Sequence, residues 1–336
     1  MRIKRKIQNT LKTFGNAIGY AFAKGAMALV PRLPEHWLFP IGSGMSRAFY
    51  YLVGKYRRIG LRNLRYAFGN EKSEAELKGI FKSCMEDIGK NFMEVMYAFG
   101  LSAEQIKQKI ELSGTEHLDK ALAEGKGVIA FSAHAGNFIL IGPRLVAEGY
   151  PFSVVARDPK NVRIAQLFRE MRERFGIGSI PAKPKKDCIG QSLKCLRDNG
   201  ILFLQIDQNA DPSDPWVDFF GWLVPTFKGP VVFSLRTGSL VLPFFMIRQP
   251  DNRLKLVIEP AISLIKAADK DDEIKQNVAL LTKVTEQHIR KYPEQWWWLH
   301  RRWKKAKKAT EILPLQAAEP MPAQSSSAVN NVQSLF

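Results

Sequence analysis

The run Gly127-Val-Ile-Ala-Phe-Ser-Ala-His134-Ala-Gly-Asn-Phe138 carries apolar residues of strand character up to a single histidine, with small residues and Asn137 behind it. That pattern sets an imidazole at the carboxyl end of a buried strand, where open α/β sheets bind their ligands. A free imidazole titrates near ~6.5, so a histidine placed there is the usual general base for drawing a proton from a hydroxyl. No Asp or Glu stands between His134 and Glu148, so no carboxylate close in sequence orients the ring.

Further side chains suit the same rim. Asp207-Gln208 follows Ile-Leu-Phe-Leu-Gln-Ile206, again a strand end. Its carboxylate either pairs with the imidazole or an arginine, or caps the turn that opens toward Asp211-Pro212. Arg157 closes another strand, and Arg172 and Arg174 stand late in the next helix. Arginines at a rim offer planar donors to phosphate or to a developing oxyanion, while those late in a helix are by default surface residues. Phe219-Phe220-Gly221-Trp222 and Pro225-Thr226-Phe227-Lys228-Gly229-Pro230 either line an acyl groove or cover the sheet. In Pro293-Glu-Gln-Trp-Trp-Trp-Leu-His300-Arg-Arg-Trp303, indoles beside cations fit a membrane interface or stacking on single-stranded nucleic acid. Packing of two of those four tryptophans into the core is the plainest reading.

The elements that must position these residues follow from periodicity. Strands are predicted at 127–133, 152–156, 201–206, 240–247 and 254–259, with helices at 137–149, 160–175, 187–199 and 229–238 between them. The alternation implies an α/β fold, a mostly parallel central sheet flanked by helices. A last helix, about 271–291, opens on Asp271-Asp272-Glu273, which suits a helix N-terminus. Residues 1–109 read as helical, with capping boxes at Ser73/Glu76 and Ser102/Gln105. Four regions are expected: a basic amphipathic membrane-anchor helix at 1–30, a helical region at 31–109, the α/β core at 110–304 and a disordered tail at 305–336.

Composition narrows the partners. The 336 residues suffice for one large domain with a helical extension, and 50 Lys and Arg against 32 Asp and Glu give a net charge of +18. That excess suits nucleic acid, an anionic membrane surface or phosphorylated lipid. No nucleic-acid-binding module is recognisable. Ile7, Leu11, Phe14, Ile18 and Phe22 form an apolar stripe flanked by cations. The stripe reads as an interfacial helix, a transmembrane anchor or an ordinary core helix. The segment Lys55–Phe68, basic and amphipathic, either lies on a membrane or presents a solvated face on a core helix. Cys84, Cys188 and Cys195 lack metal or disulfide spacing and suit a reducing, cytosolic environment.

Over roughly residues 25–305 the chain resembles the lipid A biosynthesis acyltransferases that add secondary acyl chains, within the wider glycerolipid acyltransferase superfamily. The segments that carry the resemblance run in order from Leu29-Val-Pro-Arg-Leu-Pro34 and Arg62-Asn63-Leu64-Arg-Tyr-Ala-Phe68 to the His134 segment and Asp207-Gln208. They continue through Phe219-Phe220-Gly221, Thr226 with Gly229, Leu235-Arg236-Thr237-Gly238 and the closing tryptophan string. The resemblance implies an enzyme on the cytoplasmic face of an inner membrane. It would move a fatty acyl group from acyl carrier protein, or from coenzyme A, to a hydroxyl of a lipid A precursor or related lipid. It casts His134 as the base and aligns Asp207 and Arg172 with functional charged positions. Asn137, Gly136, Arg157, Phe220, Gly221, Thr226 and Gly229 are the substrate-binding candidates, and no metal or bound cofactor is implied. The family motif places Glu or Asp five residues after the histidine, where this chain has Ile139. The departure leaves three outcomes: Asn137 orients the ring, Asp207 or Asp158 supplies the carboxylate, or the chain binds lipid without acylating it.

Overall fold

The computed structural model describes residues 17–159 and 161–308. The first part of the expected anchor helix, up to 16, and the expected tail from 309 on lie outside the described residues. Helices come first: α1 (17–29), α2 (Leu38–Leu52), α3 (Gly54–Phe68), α4 (Glu74–Ala98) and α5 (Ala103–Lys109). Both capping boxes are formed: Ser73 accepts from the Glu76 N–H and Ser102 from that of Gln105, while each partner's side chain accepts from the cap's own N–H.

The α/β part then runs β1 (Ile110–Ser113), α6 (Thr115–Leu122), β2 (Val128–Ser132), α7 (Ile141–Ala147), β3 (Phe152–Ala156), α8 (Val162–Arg174), β4 (Gly178–Pro181), α9 (Lys185–Arg197) and β5 (Ile201–Gln205). It continues through β6 (Trp216–Phe219), β7 (Trp222–Pro225), α10 (Gly229–Thr237), β8 (Leu240–Arg248), β9 (Leu254–Ile258), α11 (Lys270–Lys291) and β10 (Lys307–Lys308). Seven strands form one sheet in the order β1-β9-β8-β2-β5-β3-β4, and β10-β7-β6 form a small second sheet. Strands β8, β2, β5, β3 and β4 are mutually parallel; β9 runs antiparallel to β8.

A central parallel strand is covered on both faces, which is why β2 is apolar from Val128 to Phe131 and buried at every position. Its side chains alternate between two cores. Val128 and Ala130 face the one closed by α4–α7, and Ile129 and Phe131 face the one closed by α9–α11. Strand β5 divides in the same way, with Ile201 and Phe203 against Leu202 and Leu204. The five predicted strands are all present; β1, β4, β6, β7 and β10 lie outside that prediction, being of four residues or fewer.

The parallel arrangement puts the residues after β2, β5, β3 and β4 on one rim, in that order across the sheet. His134, Asp207, Arg157 and Lys183 therefore follow neighbouring strand ends, with Asp207 on the strand adjacent to that of His134.

In α3, Ile59, Leu64, Ala67 and Phe68 are buried in the core, and Lys55, Arg58, Arg62 and Arg65 face outward. Its apolar face is thus spent on packing. Ten of the fifteen exposed large apolar side chains fall instead between Ile18 and Tyr56, among them Ile41, Met45, Phe49 and Leu52 on α2. No helix of the described residues is long and apolar enough to cross a membrane.

Candidate active site

His134 stands two residues beyond β2 with its side chain 20% exposed, its ring edge-on to Phe138 at 4.9 Å between centroids. Asp207, 1% exposed, meets it from the end of β5. One carboxylate oxygen lies 2.8 Å from His134 Nδ1; the other accepts the His134 backbone N–H at 2.8 Å and the Trp296 indole N–H at 2.7 Å. Burial pushes the Asp207 carboxyl up, but the imidazole charge and these three donors outweigh it and hold the group at about 2. An ionised carboxylate at Nδ1 requires that nitrogen to carry the proton, which leaves the lone pair on Nε2. There the Gln208 side-chain nitrogen lies 3.0 Å away.

The loop bearing His134 is clamped by the tryptophan string. Gly136 N–H donates to Gln295 O at 2.8 Å, Trp297 N–H donates to His134 O at 2.9 Å, and Ala135 bridges Trp296. Gly136 sits at φ +56, and a Cβ there would lie 1.9 Å from Met246 O, so only glycine fits the approach. Trp296, Trp298 and Trp303 are buried in an aromatic core with Phe68, Phe219 and Phe220, and Trp297 alone of the four is exposed. The string is thus mostly interior, and three tryptophans are buried where two were expected. Asn63 holds it from α3, its amide donating to Trp298 O at 2.7 Å and to His300 O.

Arg302 is buried without a carboxylate partner among the described residues. It donates to Gln208 O at 2.9 Å, Pro225 O at 2.7 Å and Thr226 Oγ1 at 2.5 Å. Burial lowers its guanidinium to about 10 against the opposing pull of Asp207. The His300 ring accepts the Asn209 N–H at 3.3 Å. Together Arg302 and His300 pin the loop that presents Asp207 and Gln208. Trp296, Arg302 and Asn63 stand in segments that the sequence singles out but carry no site role there, because no spacing shows that a segment 89 residues beyond Asp207 returns to hold it.

The other expected residues are distributed differently. Asn137 is not the group that orients His134: its amide donates to Glu94 at 2.8 Å and to Asn91 O at 3.3 Å. It thereby joins the buried cluster in which Arg248 pairs with Asp87 and Glu94. Asp158 does not reach the imidazole either, being shared by Arg169 and Arg172 at 2.8 and 2.9 Å. Arg172 and Arg157 line a separate open cavity beside β3 and β4, and among the described residues Arg172 bonds neither His134 nor Asp207.

Phe220 and Gly221, expected either to line a groove or to cover the sheet, form the two-residue turn of the β6–β7 hairpin, both at positive φ (56° and 75°). A two-residue hairpin of type I′ requires that conformation at both positions, and the Phe220 ring packs in the aromatic core. Thr226 is buried and serves Arg302. Gly229 opens α10, where a Cβ would meet the Phe227 ring at 2.3 Å.

Residues 6–305 match the family described as bacterial lipid A biosynthesis acyltransferase. The chain belongs to that family. It is an acyltransferase, and enzymes of its family act with an acyl donor and a lipid acceptor. It is 26% identical to the lipid A biosynthesis lauroyltransferase of Escherichia coli over 83% of this chain and 89% of the relative. It is 23% identical to the palmitoleoyltransferase of the same organism over 84% and 90%. It is also 26% identical to a phosphatidylinositol mannoside acyltransferase of Mycobacterium tuberculosis, over 68% and 72%. A solved 1-acyl-sn-glycerophosphate acyltransferase from Thermotoga maritima covers 60% of this chain and 82% of its own at 10% identity, with a TM-score of 0.34. In this acyltransferase the fifth position after the histidine is Ile139, a half-buried residue packed against the apolar core under α7.

Proposed function

We propose that this acyltransferase moves a fatty acyl group from the thioester of acyl carrier protein or coenzyme A to a hydroxyl of a lipid A precursor or a related membrane lipid, with His134 as general base. The observation that carries the reading is the Asp207–His134 pair at 2.8 Å, which supplies from β5 the acid missing at Ile139. The acceptor hydroxyl displaces the Gln208 amide from Nε2. His134 Nε2 takes the hydroxyl proton while the oxygen attacks the thioester carbonyl carbon. The tetrahedral intermediate collapses as the C–S bond breaks, and the proton on Nε2 passes to the departing sulfur. Throughout, Nδ1–H stays on Asp207, which fixes the tautomer and stabilises the imidazolium.

The names of the relatives support the lipid acceptor. The apolar face of α1 and α2, with the outward cations of α3, supports docking on the cytoplasmic face of the inner membrane. In this reading Arg157 and Arg172, which line one cavity, bind substrate charge, and Asn137, Gly136, Phe220, Gly221, Thr226 and Gly229 shape the scaffold around the site. The test is transfer from a labelled acyl thioester to a lipid acceptor by the full chain in detergent or vesicles. His134→Ala abolishes transfer. Asp207→Asn lowers it by about 10³–10⁴, as losing the orienting acid does in a hydrolase triad. Wild-type rates in either variant rule this mechanism out.

A further inference from the structure

Beside the catalytic pair, on the same rim, the ends of β3 and β4 and the flank of α8 enclose an open cavity of about 490 Å³. Its charged lining is Arg157, Arg169, Arg172 and Lys183 against Asp158 and Glu173, an excess of two positive charges. Asp158 is already shared by two guanidiniums. Among the described residues, no carboxylate lies within ion-pair distance of Arg157 or Lys183. The Arg172 side chain is only 9% exposed; it reaches Asp158 through Nη2 alone, and its Nε is buried without a partner. Buried donors in folded proteins nearly always have an acceptor. A guanidinium held on one side at Nη2, with no other hydrogen bond among the described residues and with cations beside it, is arranged for an oxyanion that accepts in the plane of the fork.

We propose that this cavity binds a phosphate ester carried by one of the two substrates. The proposal rests on the acyl-transfer reading only for the source of the phosphate. A cavity of this volume takes a small group rather than a polyanion lying along a surface. Its position fits such a role. From β2 the order across the sheet is β5, β3, β4. At about 4.8 Å per strand, the cavity lies roughly 10–14 Å along the rim from His134. The pantetheine arm that joins a thioester to its phosphate is as long as about four extended residues, or about 14 Å. A donor with its carbonyl at His134 therefore reaches the cavity with its phosphate, whether the arm is borne by acyl carrier protein or coenzyme A. The headgroup phosphate of a lipid acceptor is the other source.

The test compares the full chain with the Arg157→Ala/Lys183→Ala double variant, whose side chains are both exposed. Inorganic phosphate and 4′-phosphopantetheine are titrated by calorimetry at low salt. The variant binds both about tenfold more weakly, two exposed cations each giving a modest contribution. Arg172→Lys, which keeps the charge but loses the planar fork, also weakens binding. In steady-state transfer, a raised KM for the acyl donor with kcat nearly unchanged assigns the site to the donor phosphate. A raised KM for a phosphorylated acceptor, absent with its dephosphorylated form, assigns it to the acceptor. No phosphate binding by the wild type at millimolar concentration overturns the proposal. So does equal affinity in wild type and variant. The titrations need no turnover, so they decide the site even if acyl transfer itself fails.

Discussion

The side-chain nitrogen of Gln208 lies 3.0 Å from His134 Nε2. With Nδ1–H committed to Asp207, that contact is an amide N–H donating onto the lone pair that the proposed mechanism uses as the base. The Gln208 side chain is exposed, and its backbone carbonyl is fixed by Arg302, so the amide swings aside without moving the loop. Gln208→Ala uncaps the nitrogen. Diethyl pyrocarbonate modification at His134, followed by peptide mass spectrometry, is then expected to speed up about fivefold, the equivalent of one net hydrogen bond of about 1 kcal/mol. KM for the acceptor falls while kcat changes less. Unchanged labelling shows that the amide does not hold Nε2 in solution.

Restoring the acid that the family motif carries brings no gain here. His134 Nδ1 has one proton, and Asp207 already accepts it. Ile139 packs against the apolar core, so Ile139→Glu places a carboxylate among apolar groups with no donor assigned to it. The expected outcome is transfer at or below the wild-type rate, with about 1–3 kcal/mol lost in urea unfolding. A rate above the wild type contradicts the view that Asp207 is the sufficient acid.

The central strands and the rim residues His134 and Asp207 were legible because a buried parallel strand is apolar at every position and ends abruptly in its polar loop. Their pairing was legible only as one alternative among three, since two residues 73 positions apart meet through strand order, which periodicity does not encode. The tryptophan string was legible as partly core, but not which of its cations turns inward. Trp beside Arg and Lys also fits an interface in sequence, yet Arg302 is turned onto the Gln208 and Pro225 carbonyls and the Phe219 ring. The Phe220-Gly221 turn was readable in principle, because a glycine between two aromatic-rich short runs is a hairpin signal.

The exposed face of α2 carries Ile41, Met45, Phe49 and Leu52, the last 82% exposed. These side chains contribute little to the fold, so Phe49→Asp and Leu52→Asp leave the melting temperature within a degree or two. If α2 is the membrane face proposed above, removing two apolar side chains, each contributing about 1.5–3 kcal/mol when fully buried, lowers partition onto anionic phospholipid vesicles at least tenfold. Co-sedimentation measures it. Equal partition by the variants rules α2 out as a membrane face.

His288 on α11 gives the chain an acid sensitivity of predictable sign. Its ring lies flat on Phe245, centroids 3.8 Å apart, and is 8% exposed. Burial, with the charge of Lys291 adding, pushes it down to about 3. In the unfolded chain a histidine titrates near ~6.5. Between those values the unfolded state binds a proton that the native state refuses, so stability falls as pH drops below ~6.5 and the loss is complete near 3. Asp207, held at about 2, adds its own loss only below ~4, and His300, lowered chiefly by burial, acts in the same direction as His288. The readout is therefore a difference between proteins. On going from pH 7.5 to 5.5, wild type loses about 1.4 kcal/mol more stability in urea than His288→Phe, which keeps a flat ring on Phe245 but has no proton to bind. Parallel pH profiles for the two proteins would mean that the His288 ring finds a partner for its charge in the folded state.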